Sequence, residues 1–251
     1  MQTVIIIPAR YGSTRLPGKP LAMIAGKTML HRVYELAKKA AAGRQDVEIL
    51  IATEDQRILD HARELGARAV MTPESCQTGT DRAHAAVKAA GLSPDVVLNL
   101  QGDAPLTPPH FITTMMDEFH QTPMPDVVTP AYRLSWAQLD EMRTSKQLTP
   151  FSGTSVIQGT DGYALWFSKN IIPAIRKEDK LRETEAFSPV IRHIGLYAYS
   201  WNALCAYVDL PQSRYEILEG LEQLRLLENG LRIKLAIIDP KGKPIHGGID
   251  S

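Results

Sequence analysis

Apolar positions follow two rhythms along this chain. Short, nearly unbroken apolar runs stand at residues 3–8, 47–53, 68–71 and 96–101. Between them, apolar residues recur every three or four positions. Residues 29–41 carry Leu30, Val33, Leu36, Ala37 and Ala40 on one stripe; residues 56–65 carry Ile58, Leu59, Ala62 and Leu65, with Gly66 behind them. Unbroken runs read as strands buried on both faces, and the wider spacing reads as amphipathic helix. A further helix is expected over 80–90, with Thr80 as its N-cap. The alternation over the first 105 residues predicts βαβ units. The fold class expected is α/β, mainly a parallel sheet flanked by helices.

The second half is less regular. Residues 108–119 predict a helix opened by proline, 126–132 a strand and 136–143 a short helix. Two β-rich runs, 154–167 and 190–199, flank a polar stretch at 176–185 that reads as a mobile loop. Residues 215–229 predict one helix on the stripe Ile217, Leu218, Leu221, Leu224 and Leu227, closed by Gly230. Residues 233–238 predict a last strand. No repeat or linker divides the chain, so one domain is expected over 1–251.

Composition narrows the functional classes. With 251 residues, 44% of them hydrophobic and 22% charged, the chain can bury a core without staples. No apolar run approaches ~18 residues, so no membrane span is expected. The run at 4–7 meets Pro8, Arg10 and Arg15 at once, which is unlike a signal peptide. Lys plus Arg and Asp plus Glu each number 28, and a net charge of zero argues against a non-specific nucleic-acid binder. Two cysteines, Cys76 and Cys205, exclude a disulfide framework and a four-cysteine zinc site, and suit a reducing cytoplasm.

The candidate chemistry begins directly after the first strand. Pro8-Ala9-Arg10-Tyr11-Gly12-Ser13-Thr14-Arg15-Leu16-Pro17-Gly18-Lys19-Pro20 packs three cations, two hydroxyls and two glycines into one loop. Ligands of open α/β sheets bind beyond the carboxyl ends of the strands. Glycine lets backbone N–H groups approach an anion, and Arg matches phosphate oxygens in a fork. A polyphosphate is the natural guest. Neither G-x-G-x-x-G nor G-x-x-x-x-G-K-[ST] is present, so this is neither a dinucleotide fingerprint nor a P-loop.

The segment IIIPARYGSTRLPGKPL resembles the opening of the cytidylyltransferases that activate 3-deoxy-manno-octulosonate (Kdo). Three further stretches resemble the same family in order. Gln77-Thr78-Gly79-Thr80-Asp81-Arg82 is similar to its S/T-G-T-[DE]-R stretch, Gln101-Gly102-Asp103-Ala104-Pro105 to Q-G-D-E-P, and Gly248-Ile249-Asp250-Ser251 to G-[VI]-D-[ST], after which family members continue with a helix opening P-E-D. The resemblance implies a nucleotidyltransferase fold with a smaller β-rich arm, a nucleotide-binding half over about 1–107 and an acceptor-binding, dimerising half over about 108–251. It implies CTP contacts from Pro8, Ala9, Arg10, Ser13, Arg15, Lys19, Thr78, Gly79, Asp81, Arg82 and Gln101. Asp103 and Asp250 would hold Mg²⁺. Arg10, Arg15, Lys19 and Asp103 would be the catalytic set.

The same resemblance places an acidic sugar in the second half. Gly162-Tyr163-Ala164-Leu165-Trp166-Phe167-Ser168-Lys169 is similar to G-Y-A-L-Y-F-S-R, Arg192-His193-Ile194-Gly195-Leu196-Tyr197-Ala198-Tyr199 to R-H-[IL]-G-[IL]-Y-x-Y, and Leu221-Glu222-Gln223-Leu224-Arg225 to L-E-Q-L-R. Lys169, His193, Tyr197, Glu222 and Gln223 are the acceptor contacts this implies. Three positions depart from the pattern: Ala104 for Glu, Ser155 for Lys and Lys169 for Arg. They keep open an altered acceptor, such as a modified ulosonic acid or a phosphonate. A silent CTP-binding regulatory protein is the reading from another class. A glycosyltransferase is disfavoured, because no D-x-D occurs. The family reading further implies a cytoplasmic homodimer, its surface expected in the second half with its β-rich arm, where residues 190–210 are rich in apolar side chains.

Overall fold

The structure is a computed structural model and describes residues 1–12 and 16–240. The first half alternates as its pattern predicts: β1 (Thr3–Pro8), the small ribbon β2 (Met23–Ile24) and β3 (Lys27–Thr28), α1 (Met29–Ala41), β4 (Val47–Thr53), α2 (Gln56–Glu64), β5 (Ala69–Met71), α3 (Gly79–Ala89) and β6 (Val96–Asn99). Then come α4 (Pro109–Glu118), β7 (Val127–Ser135), α5 (Trp136–Leu148), β8 (Thr154–Gln158), β9 (Ala164–Ser168), α6 (Glu178–Thr184), β10 (Phe187–His193), β11 (Tyr197–Ser200), α7 (Trp201–Asp209), α8 (Arg214–Glu219), α9 (Gln223–Glu228) and β12 (Ile233–Ile237).

One sheet runs β5-β4-β1-β6-β11-β7-β10-β8-β9, with β12 on the far edge of β7. Pairing from β5 to β6 is parallel. β11 then enters antiparallel between β6 and β7. Side chains of β1 alternate between two cores. Val4 and Ile6 join Ala83, Ala86 and Val87 of α3 and Leu204 and Tyr207 of α7 on one face. Ile5 and Ile7 join Leu30, Val33 and Ala37 of α1 and Ile58 of α2 on the other. Each such fully buried Leu, Ile or Val contributes ~1.5–3 kcal/mol, which is why the strands read as unbroken apolar runs.

Three expectations are corrected. The helix expected over 215–229 is two short ones, because Gly220 turns left-handed at φ 62° and ends α8. Ile217 and Leu218 therefore face solvent, 64% and 67% exposed, while Leu221 and Leu224 enter the core. A buried pair spans the break: Arg225 Nε and Nη2 donate to the two oxygens of Glu216 at 2.8 and 2.5 Å. The polar stretch 176–185 is not a loop throughout. It contains α6, fastened by Arg143 and Arg182 to Glu178 and by Arg182 to Asp140, with Arg182 stacked over Trp136. Both guanidinium groups hold the Glu178 carboxyl down at about 2. Within 190–210, Val190, Ala198, Tyr199, Leu204 and Tyr207 are buried, while Ala206 is exposed and Trp201, Val208 and Leu210 are half-buried. Finally, Thr78 and not Thr80 caps α3. Thr78 Oγ1 accepts from Asp81 N at 3.1 Å, and Asp81 Oδ2 accepts from Thr78 N at 3.0 Å.

Candidate active site

The carboxyl ends of the neighbouring strands β1 and β6 open on the same edge of the sheet. Above them the loop after β1 folds back on itself. Gly18, left-handed at φ 69°, donates its N–H to Tyr11 O at 2.9 Å, and a Cβ there would press within 3.0 Å of the Tyr11 ring. Arg57 stacks 3.3 Å from the centroid of that ring. Tyr11 N donates to Glu54 Oε1 at 3.0 Å, and Arg82 bridges Glu54 and Thr72 beneath. A short 3-10 turn, Lys19–Leu21, then brings the nearly buried Lys19 amine 2.9 Å from Asp103 Oδ2.

Pro8, Ala9, Arg10, Lys19, Thr78, Gly79, Arg82, Gln101 and Asp103 all line one cavity of about 300 Å³. The sequence reading missed Gln77 and Gly102, which also line it. Asp81 does not line it, since its carboxylate is engaged in the cap of α3. Ser13, Arg15 and Asp250 lie outside the described residues.

A second cavity of about 420 Å³ adjoins the first, and Gln101 and Glu222 line both. Lys169, His193, Tyr197, Glu222 and Gln223, the five expected acceptor contacts, all line it. Arg192 and Thr154 were missed, although Arg192 stands inside a motif already singled out. β10 and β11 supply most of this wall. Between them the chain bulges at residues 194–196, and Thr129 fills the gap by donating to Leu196 O at 2.8 Å. Since the single Thr129 proton goes to that carbonyl, its oxygen accepts from His193 Nε2 at 2.8 Å. The tautomer so assigned leaves His193 Nδ1 as an acceptor. Tyr197 donates to Gln223 Oε1 at 2.9 Å, and the buried Gln223 Nε2 has no partner among the described residues.

The three departures have visible consequences. Ser155 ties the chain inside: its hydroxyl donates to Asn170 O at 2.6 Å and accepts from Ile172 N at 3.1 Å. A cation reaches this region from α5 instead, where the Lys146 amine donates to Ser152 O at 2.5 Å and Lys169 O at 2.6 Å. Glu219 fixes the backbone of Lys169 at 2.7 Å, and burial lowers the Lys169 amine. Ala104 closes the turn after β6, its N–H donating to Gln101 O at 3.1 Å, and brings no charge near Asp103.

The family model described as Cytidylyltransferase matches residues 4–233. The chain belongs to the cytidylyltransferase family. A 3-deoxy-manno-octulosonate cytidylyltransferase of Maricaulis maris (strain MCS10) is 43% identical over 243 residues, covering 97% of this chain and 90% of its own. An 8-amino-3,8-dideoxy-manno-octulosonate cytidylyltransferase of Shewanella amazonensis (strain ATCC BAA-1098 / SB2B) is 40% identical over 240 residues, covering 94% and 90%. A solved CMP:2-keto-3-deoxy-manno-octonic acid synthetase complexed with CTP superposes with a TM-score of 0.82 at 33% identity, covering 98% of this chain and 94% of that one.

The electrostatics of this cytidylyltransferase separate its buried groups. Burial, with the Lys169 charge adding to it, holds His193 down at about 3. An unfolded histidine titrates near ~6.5. Between those values the unfolded chain takes a proton that the folded chain refuses. The contribution to stability is whole above ~6.5 and is lost as pH falls toward about 3. About 3 kcal/mol should be gone by pH 4. Thermal melts from pH 7 to pH 4 check this, and His193→Gln should flatten the decline. A decline equally steep in that variant would place the titrating group elsewhere.

Proposed function

We propose that this cytidylyltransferase transfers CMP from CTP to Kdo, giving CMP-Kdo and diphosphate for lipopolysaccharide biosynthesis. The junction of the two cavities at Gln101 and Glu222 carries the reading. Donor and acceptor can meet there without crossing solvent. The anomeric hydroxyl attacks the α-phosphorus in line, and diphosphate leaves. Arg10 and Lys19, with Arg15 of the same loop, stabilise the charge gathering on the leaving group. Lys169 and Arg192 are the cations of the acceptor cavity and face the sugar's carboxylate. His193 Nδ1 accepts from a sugar hydroxyl, and Gln223 Nε2 donates to one.

Mg²⁺ is the proposed metal. Among the described residues no three His, Cys, Asp or Glu side chains gather into a metal cage. Mg²⁺ keeps waters and phosphate oxygens around one or two carboxylates. Asp103 is such a carboxylate, 40% exposed at the cavity mouth, with Lys19 against it. Asp250 would be the second. When bound, the ion supplies Lewis-acid polarisation of the α-phosphate and lowers the pKa of the attacking hydroxyl. No helix among the described residues is long and apolar enough to cross a membrane. A cytoplasmic homodimer fits the family, and exposed Leu165 on the edge strand β9, with Ile217 and Leu218 on α8, offers apolar surface for it.

Diphosphate release with Mg²⁺ tests the reading. CTP with Kdo should release it, CTP alone should not, and UTP should replace CTP poorly. CTP binding without release on any acid sugar would leave a regulatory protein. A modified acceptor is the second reading, because the acceptor cavity continues past Gly153 and Arg192 into a further space of about 280 Å³ lined by Tyr132, Gln138 and Glu141. The 8-amino sugar, run in the same assay, decides between them. Faster turnover of that sugar than of Kdo would overturn the first.

A further inference from the structure

We infer that Glu222, which lines both cavities where they meet, is the proton acceptor for the attacking hydroxyl. The inference rests on the cytidylyl-transfer reading and completes it with a destination for the proton. Among the described residues only Gln101 and Glu222 line both cavities, and an amide cannot take a proton at ordinary pH. Glu222 stands two residues after the break at Gly220, at the N-cap of the short α9. Tyr207 OH at 3.2 Å and Thr80 Oγ1 at 3.4 Å both donate to Oε2. Oε1 has no hydrogen-bond partner among the described residues.

Its neighbours favour this role. Tyr199 and Tyr207 face it from β11 and α7, and the Tyr197 ring lies tilted beside Tyr199. Asp81 faces it from α3 and Arg225 from α9. Glu222 stays open to the cavities, yet the desolvating wall around it pushes the carboxyl up, and Asp81 adds to this; Tyr207, Thr80 and Arg225 pull the other way. Arg225 gives most of its charge to Glu216. A base with raised proton affinity is better matched to a hydroxyl than an ordinary carboxylate. The other candidates fit less well. Asp103 faces Lys19, Asp81 caps α3, and burial holds the proton affinity of His193 too low, although its Nδ1 is an acceptor.

The step balances without a co-reactant. The hydroxyl oxygen forms a bond to the α-phosphorus. The bond from that phosphorus to the bridging oxygen breaks, and its electron pair leaves on diphosphate. The proton moves to Glu222 Oε1 and passes to water after the products depart.

Three measurements on the full chain test this: pH profiles of kcat for diphosphate release, the acceptor KM, and CTP binding by calorimetry. In the wild type kcat should fall as pH drops below the carboxyl's raised pKa. Glu222→Gln should lose ~10²–10⁴-fold in kcat, lose that acidic limb, and keep CTP affinity and acceptor KM within about threefold. Glu222→Asp should restore part of kcat with the limb moved. A Glu222→Gln protein that keeps the limb and kcat while its acceptor KM rises would overturn the role, leaving a sugar contact only. Should Glu222→Gln fail to bind CTP, an acidic limb in Glu222→Asp identical to that of the wild type would overturn it equally. Absence of release by the wild type would count against the transfer reading itself.

Discussion

Asp103→Asn should cut diphosphate release by ~10²–10³-fold, the size seen when one preorganised electrostatic group is removed. The substitution keeps the side chain's shape and removes its charge. Two roles are thereby separated. As a ligand, Asp103 holds the cation against the triphosphate, and its loss raises the Mg²⁺ concentration needed for half-maximal rate. As a mere partner of Lys19, 2.9 Å away, it only steers that amine. The structure allows a sharper expectation for binding. Without Mg²⁺, the asparagine protein should bind CTP at least as tightly as the wild type, because Lys19 is released toward phosphate and a negative charge is gone. With Mg²⁺, that advantage should vanish. Calorimetric titration with and without Mg²⁺, beside steady-state rates, reads both. Turnover within threefold of the wild type, at an unchanged Mg²⁺ requirement, would remove Asp103 from the metal site.

Gly102→Ala should be nearly as damaging, by geometry and not by charge. A Cβ at residue 102 would stand 2.4 Å from the carbonyl oxygen of Pro8. That oxygen belongs to backbone at the end of β1, so no side chain can swing away. The ends of β1 and β6 must part, and they carry Arg10 and Asp103 on their following loops. Overpacking of this kind costs ~1–3 kcal/mol in stability. A shift of about 1 Å between reacting groups costs ~10²-fold in rate. The expected protein is folded, melts several degrees lower and turns over ~10²-fold more slowly, with a weakened CTP affinity. Unchanged CTP affinity and rate would mean that the two strand ends do not set the nucleotide geometry.

The parts legible in the sequence were those governed by local rules. Strands such as Thr3–Pro8 are buried on both faces and therefore read as unbroken apolar runs. Four of the five stripe positions of α1, Leu30, Val33, Ala37 and Ala40, meet one core, while Leu36 is only half-buried at its margin. The nucleotide loop was legible because so many cations and glycines directly follow a strand. What stayed hidden depends on distant partners. The stripe over 215–229 mixes two short helices, and only the left-handed Gly220 and the pair Glu216–Arg225 decide where it breaks. A polar stretch becomes α6 through Arg143 and Arg182, whose partners lie across two helices. Arg192 opened a matched motif but was given no role, since only the bulge beside Thr129 and the neighbouring glycine at 153 bring a cavity to it. The cap at Thr78 was misjudged by two positions, since two threonines within one turn offer equal local chemistry.

The insertion of β11 between β6 and β7 bears on how the protein is born. β6 ends at Asn99, and the strand that covers its outer edge begins at Tyr197. Ribosomes add ~5–20 residues per second, so that edge waits roughly 5–20 s for its partner. During that interval the parallel strands before it can already pair, leaving a row of unmatched amides and carbonyls at Val96–Asn99. A nascent chain stalled in this window is the species that invites mispairing with its neighbours. Slow codons placed before Tyr197 would lengthen the exposure, and a chaperone that shields bare strand edges would matter most there.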